Sequence, residues 1–399
     1  MTKPLEGIKV LDFSEHGYVP SAAAALADFG ADVIKIERPT GDAMRSIISS
    51  GFVDSPDGYD YLFEFCNRNK RGICLDIETY SGRAVFERLV RWAEVYITNQ
   101  LPRVRRKLRT EPGDLMAINP RLVYAKGHGQ GQRGVDAEAG GYDGVSYWAR
   151  GGVAHVLTAP DATRPAQQRP AMGDFPTGMF LAGGVCAGLV HVLRTGKGIV
   201  VDSSLLAGAA WSLSPDLAYA SLTGAQLPTP PQDMLSPLTR QYKTADGYWF
   251  ALMMIDEARY WAPLTEALGL DGFAEHGATA ASRKALWADL TDRIQQVIGA
   301  LDRDVLSERL RANACIFSFF STPTDVLADP AVIDNGYLMT HPDRTELRLA
   351  AAPVQFDDEL PAVRRGGPAL GEHTREILGE LGYPESEIDE LVHEGAVLG

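Results

Sequence analysis

The chain opens on a short apolar run, Ile8 to Phe13, followed by a small-residue stretch and a second apolar run, Val33 to Ile36. Between them Pro20-Ser21 can start a helix through Ala22–Asp28 and Gly30 can end it, so the spacing predicts a strand–helix–strand unit. The pattern recurs. Ile73–Leu75 reads as a strand, Ser81 to Trp92 carries apolar residues at helical spacing, and Val95–Ile97 and Leu122–Tyr124 supply further short strands. Strands alternating with helices predict an α/β fold with a parallel sheet, whose ligands bind beyond the carboxyl ends of its strands.

The texture changes near Leu222. From there to about Pro330 come a proline-rich connector (Pro228, Pro230, Pro231), a hairpin turned at Asp246-Gly247, and helical patterns at Arg283–Val297 and Arg303–Asn313. This predicts a smaller α+β domain over 222–330, between residues 1–221 and 331–399. The last of these stretches carries helical spacing from Glu372 to Leu381 and from Glu385 to Val392. The longest uncharged apolar stretch, Gly178 to Leu193, is shorter than the roughly 20 residues that span a bilayer and reads as a buried helix, so no membrane partner is expected.

A formal net charge of -14 argues against a surface built for nucleic acid or an anionic membrane, so an anionic ligand needs a local basic patch. The cysteines Cys66, Cys74, Cys186 and Cys315 form no C-x-x-C pair and have no histidine at ligand spacing, which predicts neither disulfides nor a metal site. The stretch Met1 to Leu11 is interrupted by Lys3, Glu6 and Lys9 and lacks a signal peptide's apolar core. Free thiols and no export signal lead to an expected cytoplasmic location.

The first strand–helix turn, Ser14 to Pro20, has no G-x-G-x-x-G, which disfavours a nicotinamide dinucleotide site. Cationic groups follow at Arg38, at Asn69-Lys70-Arg71, and in the run Arg103 to Arg109 that includes Arg106 and Lys107. On an acidic protein these suggest a polyanionic ligand, the alternative for the run being a solvated helix face. Asp174 stands between Gly173 and Gly178 ahead of the long apolar helix. It can be a helix N-cap, or a nucleophile whose neighbouring glycines let backbone N–H groups approach an oxyanion. Tyr59, Tyr61, Phe63 and Phe65 alternate, as on a buried strand face or along an apolar pocket.

The stretches Pro4 to Phe13 and Leu26 to Pro39 resemble the opening of the family III CoA-transferases, the group of formyl-CoA and carnitine CoA-transferases. Further likenesses follow in order: Asn67 to Arg71, the Asn99 region, Gly173-Asp174 with Thr177-Gly178, Arg194 to Gly198, Pro368 to Thr374, and Leu381-Gly382-Tyr383. The resemblance implies a large doubly wound parallel-sheet domain built from both chain ends, residues 1–221 with a return over 331–399, a small inserted domain, and a homodimer of interlocked rings. It implies no permanently bound cofactor, with an acyl-CoA and a carboxylic acid as substrates. Asp174 is the implied nucleophile, carrying first an acyl anhydride and then a CoA thioester. By position Arg38 corresponds to a contact of the CoA phosphates, Asn99 to a residue along the CoA groove, and Lys107 to a basic residue near the 3′-phosphate. Tyr142 and Asp143 correspond to a Tyr-acid pair at the thioester end. Lys70, Arg71 and Arg106 join the expected CoA contacts, and His16, Gly17 and Gly173 the substrate pocket.

The chain also departs from the family pattern. His16-Gly17 stands where formyl-CoA enzymes carry a Gln, and Gln226–Thr239 holds no glycine-run loop, which weighs against formyl-CoA and oxalate as substrates. Gln100 replaces an aromatic and Arg103 a glycine. Alternatives are an acyl-CoA racemase of the same fold, for which His16 or His128 would have to serve as second base, and a non-catalytic CoA-binding protein.

Overall fold

Strands covered on both faces read as continuous apolar runs, and each run picked out above becomes a strand. In the computed structural model, which describes residues 3–230 and 234–399, these are β1 (Lys9–Phe13), β2 (Asp32–Glu37), β3 (Arg71–Leu75), β4 (Val95–Thr98) and β5 (Val123–His128). A sixth strand, β6 (Ile199–Ser204), was not expected. It lies at a sheet edge with alternate residues partly exposed, so its apolar signal is diluted. Pro231 of the connector lies outside the described residues.

The six strands run parallel in the order β3-β2-β1-β4-β5-β6, with a short antiparallel strand, Val397–Leu398, on β3. The chain builds outward from β1 through β2 to β3, then crosses back to lay β4 on the other side of β1. That reversal makes the β1/β4 junction the topological switch point, where open α/β sheets bind ligands.

Side-chain alternation along the strands feeds two cores. Val10, Val33, Val95 and Val123 face helix α1 (Tyr18–Asp28) and the long helix Asp174–Thr195. Leu11, Ile34, Ile73 and Tyr124 face α3 (Tyr80–Trp92) and the C-terminal helices Thr374–Glu380 and Glu385–His393. Helix α1 begins at Tyr18, ahead of the predicted Pro20-Ser21 start. First-turn N–H groups have no partner inside a helix, so the missing N–H of Pro20 costs nothing there. The long helix spans 22 residues rather than the 16-residue core seen in the sequence, and only 44% of its most apolar window is buried. One side packs on the sheet while Phe180, Val190 and Leu193 are exposed.

Tyr59, Tyr61, Phe63 and Phe65 form no strand. Residues Tyr61–Asn67 are helix α2, capped by Asp60, whose Oδ1 accepts the Phe63 N–H at 2.8 Å. A cap inside the run, at Asp60, outweighs the alternation, and Phe65 packs instead on Phe175 at 4.4 Å between ring centroids.

The cationic pentapeptide Asn67 to Arg71 is structural. Lys70 is fully buried, ion-paired to Asp12 at 2.7 Å and donating to Asn67 Oδ1 and the Pro20 carbonyl, both at 2.9 Å. Arg71 is held by Asp32 at 2.7 Å and by Glu376 and Glu380 at 2.8 Å. Arg68 pairs with Asp28, and Asn69 Oδ1 accepts the Arg364 N–H at 2.6 Å. Together they fasten the returning C-terminal segment to β3. The expected CoA contacts at Lys70 and Arg71 are therefore corrected: their donors are spent inside the large unit.

Residues up to Leu222 and Ala331–Gly399 make up that larger unit, and Thr223–Pro330 form a second. The second has its own core of Tyr242, Phe250, Trp261, Leu264 and Ile294 under a three-stranded antiparallel sheet of Gln241–Lys243, Trp249–Leu252 and Phe317–Phe319. Gly247, at φ 88°, supplies the left-handed residue of the hairpin turn. The predicted helix from Arg283 is two helices, Ala280–Ala285 and Trp287–Ile298.

Candidate active site at the sheet switch point

Beyond the carboxyl ends of β1, β4 and β5 the larger unit holds a cavity of about 280 Å3. Its lining includes Glu15, His16, Tyr18, Arg38, Asn99 and Asp174. Asn99 clamps the switch point. Its Oδ1 accepts the Glu15 N–H at 3.0 Å and its Nδ2 donates to the Glu15 carbonyl at 2.6 Å, tying the tail of β4 to that of β1. The other side of this turn is fixed from below by Asp42, buried and ion-paired to Lys35 at 2.7 Å, whose Oδ1 accepts the His16 N–H at 3.0 Å. Lys35 also donates to the Ser14 carbonyl at 3.0 Å. This support holds His16 at φ 67°, a left-handed conformation that non-glycine residues rarely adopt. Its ring meets Tyr142 edge-on at 5.3 Å, on the cavity wall.

Asp174 occupies the first turn of the long helix, and Gly173, not Asp174, is the N-cap residue. The capping carboxylate comes from elsewhere: Asp143 Oδ2 accepts the Gly173 N–H at 2.9 Å and, more weakly, the Asp174 N–H at 3.4 Å. With these helix-end donors met by Asp143, the Asp174 carboxylate is released from capping and turns into the cavity. Gly17 and Gly173 are required by close approach. A Cβ at Gly17 would stand 2.6 Å from Asp174 Oδ2, and one at Gly173 would stand 2.2 Å from Tyr147 Cγ and 2.4 Å from Asp143 Oδ1. A Cβ at Gly178 would meet Ser21 Oγ at 2.3 Å, so glycine there lets the first turns of α1 and the long helix pack against each other.

This setting alters the carboxylate. Burial, then the like charge of Asp143, pushes the Asp174 carboxyl up from its ordinary 3.8 to about 7. Burial also raises the Asp143 carboxyl, against the pull of the N–H groups it accepts.

The remaining sequence candidates divide by position. Arg38 reaches the cavity mouth half-exposed and ion-paired to Glu15. Arg106 and Lys107, on the helix Pro102–Leu108, do not line the cavity, and both pair at the surface, with Glu138 at 2.8 Å and Glu78 at 2.7 Å. Asp143 lies behind Asp174 rather than on the cavity wall. Among the lining residues without an assigned role in the sequence are Tyr18, Gln100 and, beyond its mention as a substitute base, His128. Their signal was positional, since each sits at or just past the carboxyl end of a strand.

The family model of CoA-transferase family III matches residues 5–374. This chain belongs to CoA-transferase family III. The cinnamoyl-CoA:phenyllactate CoA-transferase of Clostridium sporogenes is 29% identical over 398 residues, covering 98% of this chain and 96% of that protein. The succinyl-CoA:glutarate CoA-transferase of Homo sapiens is 29% identical over 411 residues, covering 99% and 90%. Among solved structures, a CaiB/BaiF family protein from Brucella suis superposes with a TM-score of 0.80 at 28% identity, covering 96% of this chain and 100% of that one. As a CoA-transferase the chain acts on CoA thioesters.

The raised Asp174 value has a consequence for stability. Between pH 3.8 and about 7 the unfolded chain releases this proton and the folded CoA-transferase keeps it, so the ionised side chain costs stability progressively as pH rises through that window. Asp174→Asn, which cannot ionise, is therefore expected to melt a few degrees above wild type at about pH 8, with the difference shrinking towards about pH 4. Differential scanning calorimetry across that range checks it, and a difference in Tm independent of pH would contradict the burial argument.

Proposed function

We propose that this enzyme moves CoA from an acyl-CoA donor to a carboxylic acid through covalent intermediates on Asp174. The observation that carries the reading is the cap exchange: Asp143 satisfies the helix N-terminus, and a cavity-facing carboxylate without a structural task is left at Asp174. Ionised Asp174 attacks the thioester carbonyl, forming a C–O bond to the acyl carbon and expelling CoA thiolate. The thiolate then attacks Asp174 Cγ, giving an aspartyl-CoA thioester and releasing the donor acid. The acceptor carboxylate attacks the same carbon and displaces the thiolate, which finally attacks the acceptor acyl carbon and frees Asp174. Each step breaks one acyl bond as it forms another, so the acyl group is never released to water.

The N-terminus of the long helix favours negative charge close to Asp174, which suits the oxyanions formed in these steps. Arg38 is the proposed contact for the CoA phosphates, exchanging Glu15 for phosphate. The pairs of Arg106 and Lys107 lie in solvent, which screens them, so a phosphate can replace either carboxylate at little cost. Asn99 acts by holding the turn that carries His16 and Gly17. Acids of the kind named for its relatives, phenyllactate and glutarate, are candidate acceptors.

The same reading includes a second copy of the chain. Phe180 and Leu193 of the long helix, with Trp211 and Leu222 just beyond it, leave apolar surface exposed, up to 88% at Leu222. An association that covers such surface suits an obligate homodimer.

Incubation of wild type with a panel of acyl-CoAs is expected to give a mass adduct on the intact protein that is absent from Asp174→Ala. An adduct that persists in the variant would overturn the assignment of Asp174. Sedimentation equilibrium is expected to report twice the chain mass of 43.3 kDa, and a monomer at micromolar concentration would remove the dimer from the account.

A further inference from the structure

The carboxylate that caps the long helix has one oxygen without a partner of good geometry. Asp143 Oδ2 accepts the Gly173 and Asp174 N–H groups, whereas Asp143 Oδ1 is buried and unmet. The side-chain amide of Gln168 lies beside it, and Gln168 Nε2 is also buried and unmet. An unmet donor and an unmet acceptor at one place in a protein interior complement each other, because leaving either alone is costly. A small turn of the amide about its last torsion, which is soft, completes the bond. The other amide atom sets the direction. A Cβ on Gly144 would lie 3.2 Å from Gln168 Oε1, so Oε1 rests on the residue after Asp143 and Nε2 is left for the carboxylate.

Gln168 is delivered by a tethered segment. Residues 159–171 contain no helix or strand, and Asp161 to Pro165 are exposed. Ala166 anchors the segment from both sides: its carbonyl accepts the Trp148 indole N–H at 3.1 Å, and its own N–H donates to Thr158 Oγ1 at 2.9 Å. Trp148 is buried in the core and belongs to the stretch Gly144–Arg150, which begins immediately after Asp143. One short element therefore follows directly on the carboxylate and also anchors the segment that carries its partner. Beyond Gln168 the chain turns through Ala171, at φ 57°, whose carbonyl accepts the Phe175 N–H at 3.2 Å at the start of the long helix. Gln168 does not line the switch-point cavity.

Building on the reading of Asp174 as the nucleophile, we propose that Gln168 is a positioning residue for the transfer. By donating to Asp143 Oδ1 it holds that carboxylate with Oδ2 on the helix end, and so keeps Asp174 turned into the cavity. Without the amide donor Asp143 Oδ1 is a buried charged oxygen with nothing to accept, and the carboxylate gains by rotating off the Gly173 N–H. The vacated helix-end N–H groups then draw Asp174 back into capping. A capping carboxylate is favoured in its charged form, so its carboxyl falls from about 7 towards the ordinary 3.8. A glutamine that merely filled space would not act on Asp174 in this way.

The test uses wild type, Gln168→Met, which keeps the length of the side chain and removes the donor, Asp143→Ala, and the double variant. Rates of adduct formation are compared at about pH 9, where Asp174 is ionised in every variant and only its orientation differs. Gln168→Met is expected to form the adduct ~10-fold or more slowly, with KM for the acyl-CoA unchanged and an Asp174 titration midpoint clearly below that of wild type. Adding Gln168→Met to Asp143→Ala is expected to slow the enzyme no further, because the glutamine acts through the carboxylate. An unchanged rate, an unmoved Asp174 midpoint, or effects of the two substitutions that simply add would overturn the proposal and leave the transferase standing. Absence of any adduct on wild type removes the transferase reading instead, and the Asp174 midpoint in Gln168→Met still reports whether Gln168 holds Asp143.

Discussion

A carboxylate in the first turn of a helix ordinarily stays there because it caps, and the active arrangement of this chain depends on that task being taken away from it. Asp143 reaches the Gly173 N–H from the segment that precedes the turn Gly144–Arg150, a single π-helical stretch of the kind found where side chains must be aimed. Asp174 is thereby free to face the switch-point cavity, where burial, and after it the like charge of the nearby Asp143, keeps its proton on. Capping and orientation are consequences of one contact, and burial adds the greater part of the shift in acidity.

The rest of the large unit holds the partners of that contact in position. Lys35–Asp42 and Lys70–Asp12 are fully buried ion pairs beneath the β1 turn, and each also satisfies backbone groups of the segment that carries His16 and Gly17. Buried pairs contribute little net stability compared with well-packed apolar residues, but breaking one leaves an uncompensated charge. Here they fix one backbone path across the strand ends, and Gly17 lies on that path with Asp174 Oδ2 at the distance a side chain would need.

The β1–α1–β2 unit, the parallel sheet and the small-unit hairpin were legible in the sequence because apolar periodicity and turn residues encode them locally. Helix α2 was not, because alternating aromatics over a few residues fit a strand as well as a helix and the Asp60 cap was the deciding feature. The local signature of Asp174 fits an N-cap as well as a nucleophile, and what removes the N-cap reading, Asp143 taking the helix-end N–H groups, lies 31 positions away in the sequence. Charge misled at Lys70 and Arg71, where cations written next to a strand turned out to be matched by Asp12, Asp32, Glu376 and Glu380, partners distant in sequence.

The central claim is that Asp174 is a desolvated, cap-free carboxylate. Carboxyl 13C NMR of aspartate-labelled enzyme, with the Asp174 resonance identified by its loss in Asp174→Asn, measures this directly. The account predicts that the resonance titrates with a midpoint near 7, and a midpoint near the ordinary 3.8 would mean that Asp174 is solvated or still capping and would contradict it.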